Sequence, residues 1–334
     1  MKAISLFSGG LDSILATKLM LEQGVDLEAL HFRLAFCCGV DPENGSLDSR
    51  QIIKPLGIPL KVIDVSKEML EIVKHPMHGY GSNMNPCIDC KIFMMRKAKG
   101  LMGKVGASFL VTGEVLGERP MSQRKDAMFL IEKRADLQGL ILRPLSARLL
   151  PPTVPEKEGW VDREKLLNIQ GRSRKPQIQL AAHYGIEDYP APAGGCLLTD
   201  PAFARRIKDL MAHQPEFNLP DVYLLKSGRH FRFSPKVKLV VGRNEIENQK
   251  IENLSQPGDR FIRVVHHPGP LSLLRGEAGA GETEKAAAIT ARYSKARHLK
   301  DVEVICRKVP DGIEQTLTVC PASEDEMRGL IIHE

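Results

Sequence analysis

The stretch Lys2–Ser13 reads Lys-Ala-Ile-Ser-Leu-Phe-Ser-Gly-Gly-Leu-Asp-Ser, an apolar run that leads into two glycines and a helix-start pattern. The apolar residues Ala3–Phe7 predict a buried strand, and Leu11–Gln23 predict a helix that ends near Gly24. Consecutive glycines let a backbone turn tightly and approach an anion without Cβ clashes. The start of a helix then presents amide groups and a positive dipole end to that anion. The stretch therefore predicts a phosphate-binding loop.

The side chains of this loop fit the same prediction. Ser8 and Ser13 add hydroxyl donors, and Asp12 is suited to cap the helix or to help hold a magnesium ion. The pattern is neither the Walker A sequence nor the dinucleotide fingerprint. It resembles the SGGxDS loop of the PP-loop ATP pyrophosphatases, which release pyrophosphate and leave AMP on the substrate. A tight strand-to-helix turn with a capping aspartate is the alternative.

This resemblance implies ATP and Mg²⁺ as cofactors. It also implies a catalytic role for Asp12. The nucleotide contacts that it implies come from five residues of the loop: Ser8, Gly9, Gly10, Asp12 and Ser13.

The rest of the first half alternates short apolar runs with helical patterns, which is typical of a parallel sheet with helices on both faces. We expect an α/β fold, Rossmann-like, of the adenine-nucleotide-hydrolase type, and a first domain over residues 1–200. Ligands of such sheets bind at the carboxyl ends of the strands, so we expect adenine near Leu30–Phe32 and a further nucleotide contact at Gly113. The expected strands are Leu27–Leu34, Leu60–Val65 and Ala107–Thr112, and the expected helices are Ser46–Gly57 and Lys91–Gly103.

Three later segments carry less regular signals. The proline-rich Leu142–Pro155 predicts a loop over the sheet edge, Arg163–Tyr184 reads as a basic helix, and Tyr189–Cys196 excludes regular structure. Arg119 and Arg124 are candidate contacts to phosphate or RNA, with a solvated loop as an equal alternative. A basic run before Cys196 is usually a solvated face, but beside an active site it could position the RNA backbone: Arg172, Arg174 and Lys175.

Three cysteines are the second chemical signal. Cys87 and Cys90 form a C-x-x-C just before a predicted helix, and Cys196 follows much later in a Pro/Gly loop. A thiol at a helix start has a lowered pKa and more thiolate, the form that attacks and binds metal. Four interpretations stay open: a thioredoxin-like pair, structural zinc, a persulfide pair, and a [4Fe–4S] cluster on three thiolates. Unrelated buried cysteines are the fifth.

The surroundings of these cysteines resemble known thiolases. Asn85-Pro86-Cys87-x-x-Cys90-Lys91 looks like the NPC-x-x-CN/K motif of MnmA-type tRNA 2-thiouridine synthases, and Val111–Glu114 looks like their next strand, with Glu114 where they have histidine. The trio with a distant Cys196 is similar instead to the iron–sulfur tRNA thiolases of the TtuA and TtcA group. This resemblance implies that Cys87, Cys90 and Cys196 are catalytic and hold a cluster. We assign no role to Cys37 and Cys38, and we expect Cys306 and Cys320 in the core.

A second unit is expected over residues 215–334. Strand signals lie at Phe231–Phe233, Lys238–Val241, Phe261–His266 and Val302–Arg307. The Gly-, Ala- and Glu-rich Gly276–Lys285 predicts a mobile loop before a helix over Ala286–Ser294.

This unit resembles the NFACT-R domain of ribosome-associated quality-control proteins. The resemblance rests on Val237–Asn248, which includes Val-Gly-Arg-Asn-x-x-Glu-Asn, on Gly258–Phe261, and on Tyr293–Arg297. It implies RNA binding, for which eight cations are candidates, with a structural or dimerisation domain as the alternative. They are Arg229, Arg232, Lys236, Lys238, Arg243, Lys295, Arg297 and Lys300.

Bulk composition is compatible with these predictions. The formal charge of +6 suits a polyanionic partner, and the seven unevenly spread cysteines favour a reducing compartment. No apolar run approaches the roughly 20 residues of a membrane helix, and the N-terminal residues carry no export signal. We therefore expect a cytoplasmic protein with no membrane contact.

Together these features predict an enzyme, an ATP-dependent tRNA sulfurtransferase that adenylates a base carbonyl and replaces its oxygen with sulfur. The expected partners are tRNA or another structured RNA and a sulfur-donor protein or sulfide. A PP-loop ligase or amidotransferase acting on a small molecule is one alternative. A non-catalytic RNA-binding factor is another.

Overall fold

The computed structural model describes residues 1–37, 49–190 and 196–332. The chain divides into two compact units, one from Met1 to Leu197 and one that starts at Leu198. In the described ranges, no helix combines the length and the apolar character of a membrane span.

Within its described residues, the first unit is built on a parallel sheet of five strands. These are β1 (Lys2–Leu6), β2 (Asp26–Arg33), β3 (Leu60–Asp64), β4 (Phe109–Thr112) and β5 (Ile141–Leu142). Their order is β3-β2-β1-β4-β5, and every neighbouring pair is parallel. The order reverses between β1 and β4, because β2 and β3 extend to one side and β4 and β5 to the other. Ligands bind such sheets at this switch point, beyond the carboxyl ends of the strands.

In the part of this unit that the structure describes, seven α-helices accompany the sheet and cover both of its faces. Alternating side chains of β1 and β4 face opposite cores: Ala3 and Phe109 pack with α1 and α7, whereas Ile4 and Leu110 pack with α4 and α5. The expected Rossmann-like α/β fold is therefore confirmed. The helices are α1 (Leu11–Glu22), α2 (Ser49–Ile53), α3 (Ser66–Lys74), α4 (Cys87–Val105), α5 (Lys125–Arg134), α6 (Val154–Lys157) and α7 (Lys175–His183).

Several predicted boundaries in this unit differ from the structure. Helix α4 begins at Cys87, so the C-x-x-C lies inside its first turn rather than before it. The predicted helix over Arg163–Tyr184 is wrong in its middle, because Leu167 and Ile169 donate backbone hydrogen bonds to Pro144 and Leu145. In the predicted helix Ser46–Gly57, residues 46–48 lie outside the described residues, and so do residues 191–195 of the predicted irregular loop.

The second unit contains an antiparallel sheet of six strands. They are β6 (Arg229–Ser234), β7 (Val237–Val241), β8 (Arg260–Val264), β9 (Ser272–Arg275), β10 (Val302–Lys308) and β11 (Glu314–Val319), in the order β11-β10-β8-β9-β7-β6. Its helices are α8 (Pro201–His213), α9 (Leu219–Leu224), α10 (Glu245–Asn253), α11 (Ala280–Arg292) and α12 (Glu324–Met327). Helix α11 covers one face of the sheet, where Ala286, Ala287 and Ile289 are buried against Leu274 and Val304.

Two expectations for this unit are corrected. The pattern indicated four strands, whereas the structure adds the short β9 and the largely exposed β11. The predicted mobile loop Gly276–Lys285 is helical from Ala280, because Glu282 closes a capping arrangement with the amide of Gly279.

Candidate active site

The loop between β1 and α1 has the geometry of an anion-binding turn. Gly9 adopts φ +80°, a left-handed conformation that favours glycine. The Ser13 hydroxyl donates to the Gly10 carbonyl at 2.7 Å, and the Ser8 hydroxyl donates to Ser13 Oγ at 3.2 Å. Both serine hydroxyls therefore lie at the start of α1, beside the amides that lack intrahelical partners.

Gly113 lies directly against this turn. A Cβ atom added to Gly113 would be 2.5 Å from the carbonyl carbon of Asp12 and 2.5 Å from the amide nitrogen of Ser13. Backbone atoms at that distance cannot move aside as a flexible side chain can. The end of β4 and the first turn of α1 therefore approach each other so closely that only glycine fits at residue 113.

Asp12 carries an unsatisfied oxygen in a largely buried setting. Among the described residues, no hydrogen bond of good geometry reaches Asp12 Oδ1, although this atom is buried. Burial raises the pKa of Asp12, and the nearby Arg174, Gln177 and Arg119 counteract that rise. The fully buried Gln177 likewise has both carboxamide atoms without a well-formed hydrogen bond in the described structure. A buried carboxylate oxygen with no donor is chemically suited to a cation such as Mg²⁺.

The cations predicted around the loop separate into two groups. Arg119 and Arg174 lie close enough to Asp12 to act on its charge. Arg124 instead is exposed and forms two hydrogen bonds with Asp126, at 3.2 and 3.0 Å. Of these three, Arg119 and Arg174 are thus the two that border the loop.

The predicted adenine side lies at the end of β2. Phe32 is half-buried, pairs with Ile63 of β3, and packs against the core beneath α4. His31 Nδ1 lies 2.9 Å from the carbonyl oxygen of Phe7, which joins the ends of β2 and β1. A nucleotide contact by Phe32 stays a prediction.

Four cysteines converge near the same edge of the sheet. Burial raises the pKa of Cys90, and the neighbouring thiols of Cys87, Cys196 and Cys37 raise it further. Cys37 and Cys196 also form a backbone bridge. The structure therefore brings together the three predicted cysteines and adds Cys37, to which the sequence pattern gave no role; Cys38 lies outside the described residues.

These thiols do not form a site for a single metal ion. Within residues 1–37, 49–190 and 196–332, no three His, Cys, Asp or Glu side chains are placed to hold one ion. In an iron–sulfur cluster each thiolate binds a different iron, so its ligands stand further apart than those of one ion.

A buried charge network adjoins the cysteines. Lys91 Nζ lies 3.1 Å from Glu114 Oε1, and Arg143 Nε donates to Glu114 Oε2 at 3.0 Å. Arg143 also bonds Glu132. Burial opposes the charge on Glu114, but Lys91 and Arg143 lower its pKa to about 2. Glu114 is therefore held as a carboxylate.

This network connects the loop to the cysteines through the chain itself. Gly113 touches the backbone of Asp12 and Ser13, the next residue Glu114 binds Lys91, and Lys91 follows Cys90 in α4. Burial works against the charge of Lys91, yet Glu114 and the thiols of Cys87 and Cys90 raise its pKa overall. The phosphate loop and the cysteine pair at the start of α4 therefore lie close to each other.

In the second unit, the Val-Gly-Arg-Asn motif is largely occupied by internal contacts. Arg243 Nε donates to Glu247 Oε1 at 2.9 Å, and the Asn244 side chain caps α10. Asn248 Oδ1 accepts from the amide of Leu271 at 3.1 Å and lies so close to Gly242 that a Cβ there would be 2.2 Å away. The motif thus builds a strand–turn–helix corner.

The eight predicted RNA-binding cations are not equally available. Lys238 is buried, and burial lowers its pKa to about 7. Arg232 bonds Asp209 at 3.1 and 2.6 Å, and the Arg229 guanidinium lies 4.4 Å from the centre of the Tyr293 ring. The expectation of a phosphate contact is therefore corrected for Lys238, because it is enclosed. Five remain exposed, of which Arg243 is paired with Glu247: Lys236, Arg243, Lys295, Arg297 and Lys300.

Two family models match separate parts of the chain. Residues 1–148 match the thiamine biosynthesis protein ThiI, and residues 228–330 match the NFACT protein RNA-binding domain. The first part of the chain is thus similar to ThiI, and the last part is similar to the NFACT RNA-binding domain. Both resemblances that the sequence motifs indicated are thereby confirmed.

Curated relatives match the PP-loop domain. A probable tRNA sulfurtransferase of Thermococcus kodakarensis is 28% identical over 184 residues, which cover 54% of this chain and 44% of that protein. The tRNA-specific 2-thiouridylase MnmA of Acidithiobacillus ferrooxidans is 35% identical over 119 residues, which cover 34% of this chain and 33% of that protein. The chain thus spans less than half the length of these two relatives.

A solved 4-thiouridine synthetase in complex with RNA and ATP is 22% identical to the chain. The likeness covers 55% of this chain and 51% of that one, with a TM-score of 0.35.

Sequence reasoning missed several residues of the PP-loop domain that carry the site. Cys37 follows β2, where ligands meet the carboxyl ends of parallel strands, but it received no role because an adjacent Cys37–Cys38 pair does not easily bind one iron site. Arg143 and Gln177 gave no local signal, because their relation to Glu114 and Asp12 arises only in the folded chain. Cys306 is buried as expected, whereas Cys320 is exposed, since it follows the buried Val319 and faces outward.

Proposed function

We propose that this protein is an ATP-dependent tRNA sulfurtransferase that adenylates a base carbonyl and replaces the oxygen with sulfur. The observation that carries the proposal is the short path from the loop to the cysteines through Gly113, Glu114 and Lys91. An enzyme that first activates with ATP and then transfers sulfur needs these two groups beside one substrate atom.

The first step is adenylation. ATP binds with its phosphates on Ser8–Ser13, where backbone amides and the two serine hydroxyls offer donors. The base carbonyl oxygen attacks the α-phosphorus, a new P–O bond forms, and the α–β anhydride bond breaks to release pyrophosphate. Arg119 and Arg174 stand beside Asp12 and are suited to stabilise the departing charge.

A magnesium ion fits this step. The unsatisfied Asp12 Oδ1 is the residue atom that would hold it, and a cation there would offset the burial that raises the pKa of Asp12. The ion would supply charge neutralisation at the pyrophosphate.

The second step replaces AMP by sulfur. Adenylation turns a poor leaving oxygen into a good one, and the incoming sulfur forms the C–S bond as AMP departs. Sulfide does this directly. The outer sulfur of a persulfide leaves the base joined to the enzyme by an S–S bond, which the thiol of a second cysteine breaks by forming a disulfide with the first cysteine. We place this chemistry at Cys87, Cys90 and Cys196. Cysteine sulfurs are the protein ligands of iron–sulfur clusters, so a cluster fits this donor set. A [4Fe–4S] cluster on the three cysteines would supply an iron that carries the incoming sulfide.

The substrate is tRNA and the second domain contributes to its binding. The support is the match of residues 228–330 to the NFACT RNA-binding domain, together with the exposed cations Lys295, Arg297 and Lys300. A sulfur-carrying protein or sulfide completes the reaction.

Exchange of labelled pyrophosphate into ATP tests the adenylation step. We expect exchange that requires Mg²⁺ and is stimulated by tRNA, and its loss in Asp12→Asn. Asp26→Asn is the matched control, because Asp26 is exposed at the amino-terminal end of β2. The phosphate loop lies at the carboxyl ends of the strands, on the far side of the sheet from Asp26. Exchange without any tRNA dependence would favour a small-molecule ligase, and no exchange would favour a non-catalytic RNA-binding factor.

A further inference from the structure

The backbone places Cys37 directly opposite Cys196. The two residues form an antiparallel bridge, and the amide of Leu197 donates to the carbonyl of Phe36 at 2.9 Å. A hydrogen bond between the flanking residues marks a non-hydrogen-bonded pair, in which the two Cα atoms stand about 4.5 Å apart and the side chains share one face. The bridge alone therefore makes the two thiols cross-strand neighbours.

This spacing is suited to a disulfide bond. Disulfide-bonded cysteines have Cα atoms roughly 4.4–6.8 Å apart. Among opposite residues of antiparallel strands, the non-hydrogen-bonded pairs bring their side chains closest together. A bond between Cys37 and Cys196 therefore requires rotation of the two side chains, with little movement of the backbone.

The two thiols differ in their access to solvent. Ala35 and Phe36, just before Cys37, are each 2% exposed, so this segment is anchored in the core. Cys37 itself is exposed, whereas Cys196 is half-buried. Because the rate of thiol–disulfide exchange depends on access to the thiol, a small disulfide in solution reacts first at Cys37.

We propose that Cys37 and Cys196 form a reversible disulfide, made by exchange with a low-molecular-weight disulfide that reacts first at Cys37. The Cys37 thiolate attacks one sulfur of the small disulfide, so that a mixed disulfide forms and one small thiol leaves. The Cys196 thiolate then attacks the Cys37 sulfur and releases the second small thiol. The two cysteines together lose two protons and two electrons, and the small disulfide is reduced to two thiols.

The disulfide stops sulfur transfer and leaves adenylation intact. This consequence rests on the proposed function, which places Cys196 in the sulfur-transfer step. A Cys196 sulfur bonded to Cys37 carries neither a cluster nor a persulfide. The phosphate loop takes no part in the bond, so the protein still activates its substrate with ATP.

Glutathione disulfide is the probe that tests this proposal. Wild type, Cys37→Ser, Cys196→Ser and Cys320→Ser are purified anaerobically, equilibrated with several ratios of reduced to oxidised glutathione, alkylated, and analysed by peptide mass spectrometry. Cys320→Ser is the control, because Cys320 is exposed like Cys37 but lies in the second unit. We expect a peptide linked through Cys37 and Cys196 in wild type and in Cys320→Ser, which disappears again on reduction.

The two single variants of the pair separate the steps of the exchange. Cys196→Ser should retain glutathione on Cys37, because the second thiol is missing. Cys37→Ser should modify Cys196 several-fold more slowly than wild type, because the accessible thiol is missing. In the same buffers, thionucleoside formation by wild type should fall as the linked fraction rises, whereas Cys37→Ser should keep its activity.

Absence of the linked peptide at every glutathione ratio would overturn the proposal, and so would a wild type in which Cys196 is linked to Cys87 or Cys90 instead. The peptide analysis needs no turnover, so it is independent of the proposed function. A reduced wild type that forms no thionucleoside would count against the proposed function, and the linked peptide would still support the disulfide.

Discussion

Lys91 Nζ lies 3.1 Å from Glu114 Oε1, and this buried pair joins the helix that carries Cys87 and Cys90 to the strand end that touches the phosphate loop. Glu114 stands where the resembled MnmA-type motif has histidine. Its second oxygen accepts from Arg143, so the carboxylate is held between two cations.

Glu114→Gln is expected to destabilise the first domain. Removing one partner of a buried charge pair costs up to roughly 3–5 kcal/mol. The cost here should lie at the lower end, because Arg143 keeps its bond to Glu132 and Lys91 is partly exposed. The pKa of Glu114 is lowered from 4.5 to about 2, so its stabilising effect is complete above pH 4.5 and is lost as the pH falls towards 2. Urea unfolding across this range should show the wild-type and Glu114→Gln curves converge at acid pH.

Glu164→Gln, at an exposed glutamate, is the control for this prediction. An unfolding free energy of Glu114→Gln that runs parallel to wild type down to pH 2 would contradict the paired state of the carboxylate.

Gly113→Ala is expected to abolish or strongly weaken ATP binding. The added methyl group would stand 2.5 Å from backbone atoms of Asp12 and Ser13, so the start of α1 must shift. Calorimetric titration with ATP and Mg²⁺ measures the effect. Gly100→Ala is the control, because a Cβ at this position in α4 meets nothing within 4 Å. Equal ATP affinity in Gly113→Ala and wild type would show that the loop tolerates the displacement.

Lys295→Ala combined with Arg297→Ala is expected to weaken tRNA binding and to reduce its salt dependence. Each lost phosphate contact lowers the slope of log K against log salt by about 1. Filter binding at several salt concentrations measures both quantities, with Lys67→Ala on α3 as an exposed control. Lys238→Ala should instead lower stability and leave the slope unchanged, because Lys238 is buried.

Iron analysis tests the cluster. Anaerobically purified wild type should contain about four irons and four acid-labile sulfides per chain, and Cys196→Ala should lose them. Cys320→Ala should retain them, since Cys320 lies in the second domain. If the wild type contains no iron, the cluster is ruled out, and a persulfide on these cysteines becomes the sulfur carrier in the account.

Local sequence patterns were sufficient to predict much of the secondary structure of this protein. The apolar run before Ser8 and the two glycines indicated the first strand, the turn and α1, and the alternating pattern indicated the parallel sheet. Two strands were not predicted from the sequence. Strand β9 has only four residues and β11 exposes most of its side chains, so neither shows a clear apolar alternation.

The candidate site was predictable where its residues lie in motifs. Ser8–Ser13, Cys87, Cys90 and Cys196 were recognised for that reason. The partners of these residues are fixed by tertiary contacts between distant segments, such as Arg143 with Glu114 or Cys37 with Cys196. No spacing along the chain encodes such contacts.

The most direct test of the proposed function is nucleoside analysis of tRNA after anaerobic incubation with the protein, ATP, Mg²⁺ and sulfide. We expect a nucleoside in which sulfur has replaced one oxygen, formed in a constant ratio to AMP and absent with Cys196→Ala. Release of AMP and pyrophosphate without any thionucleoside, or with an aminated nucleoside in its place, would contradict sulfur transfer by this protein.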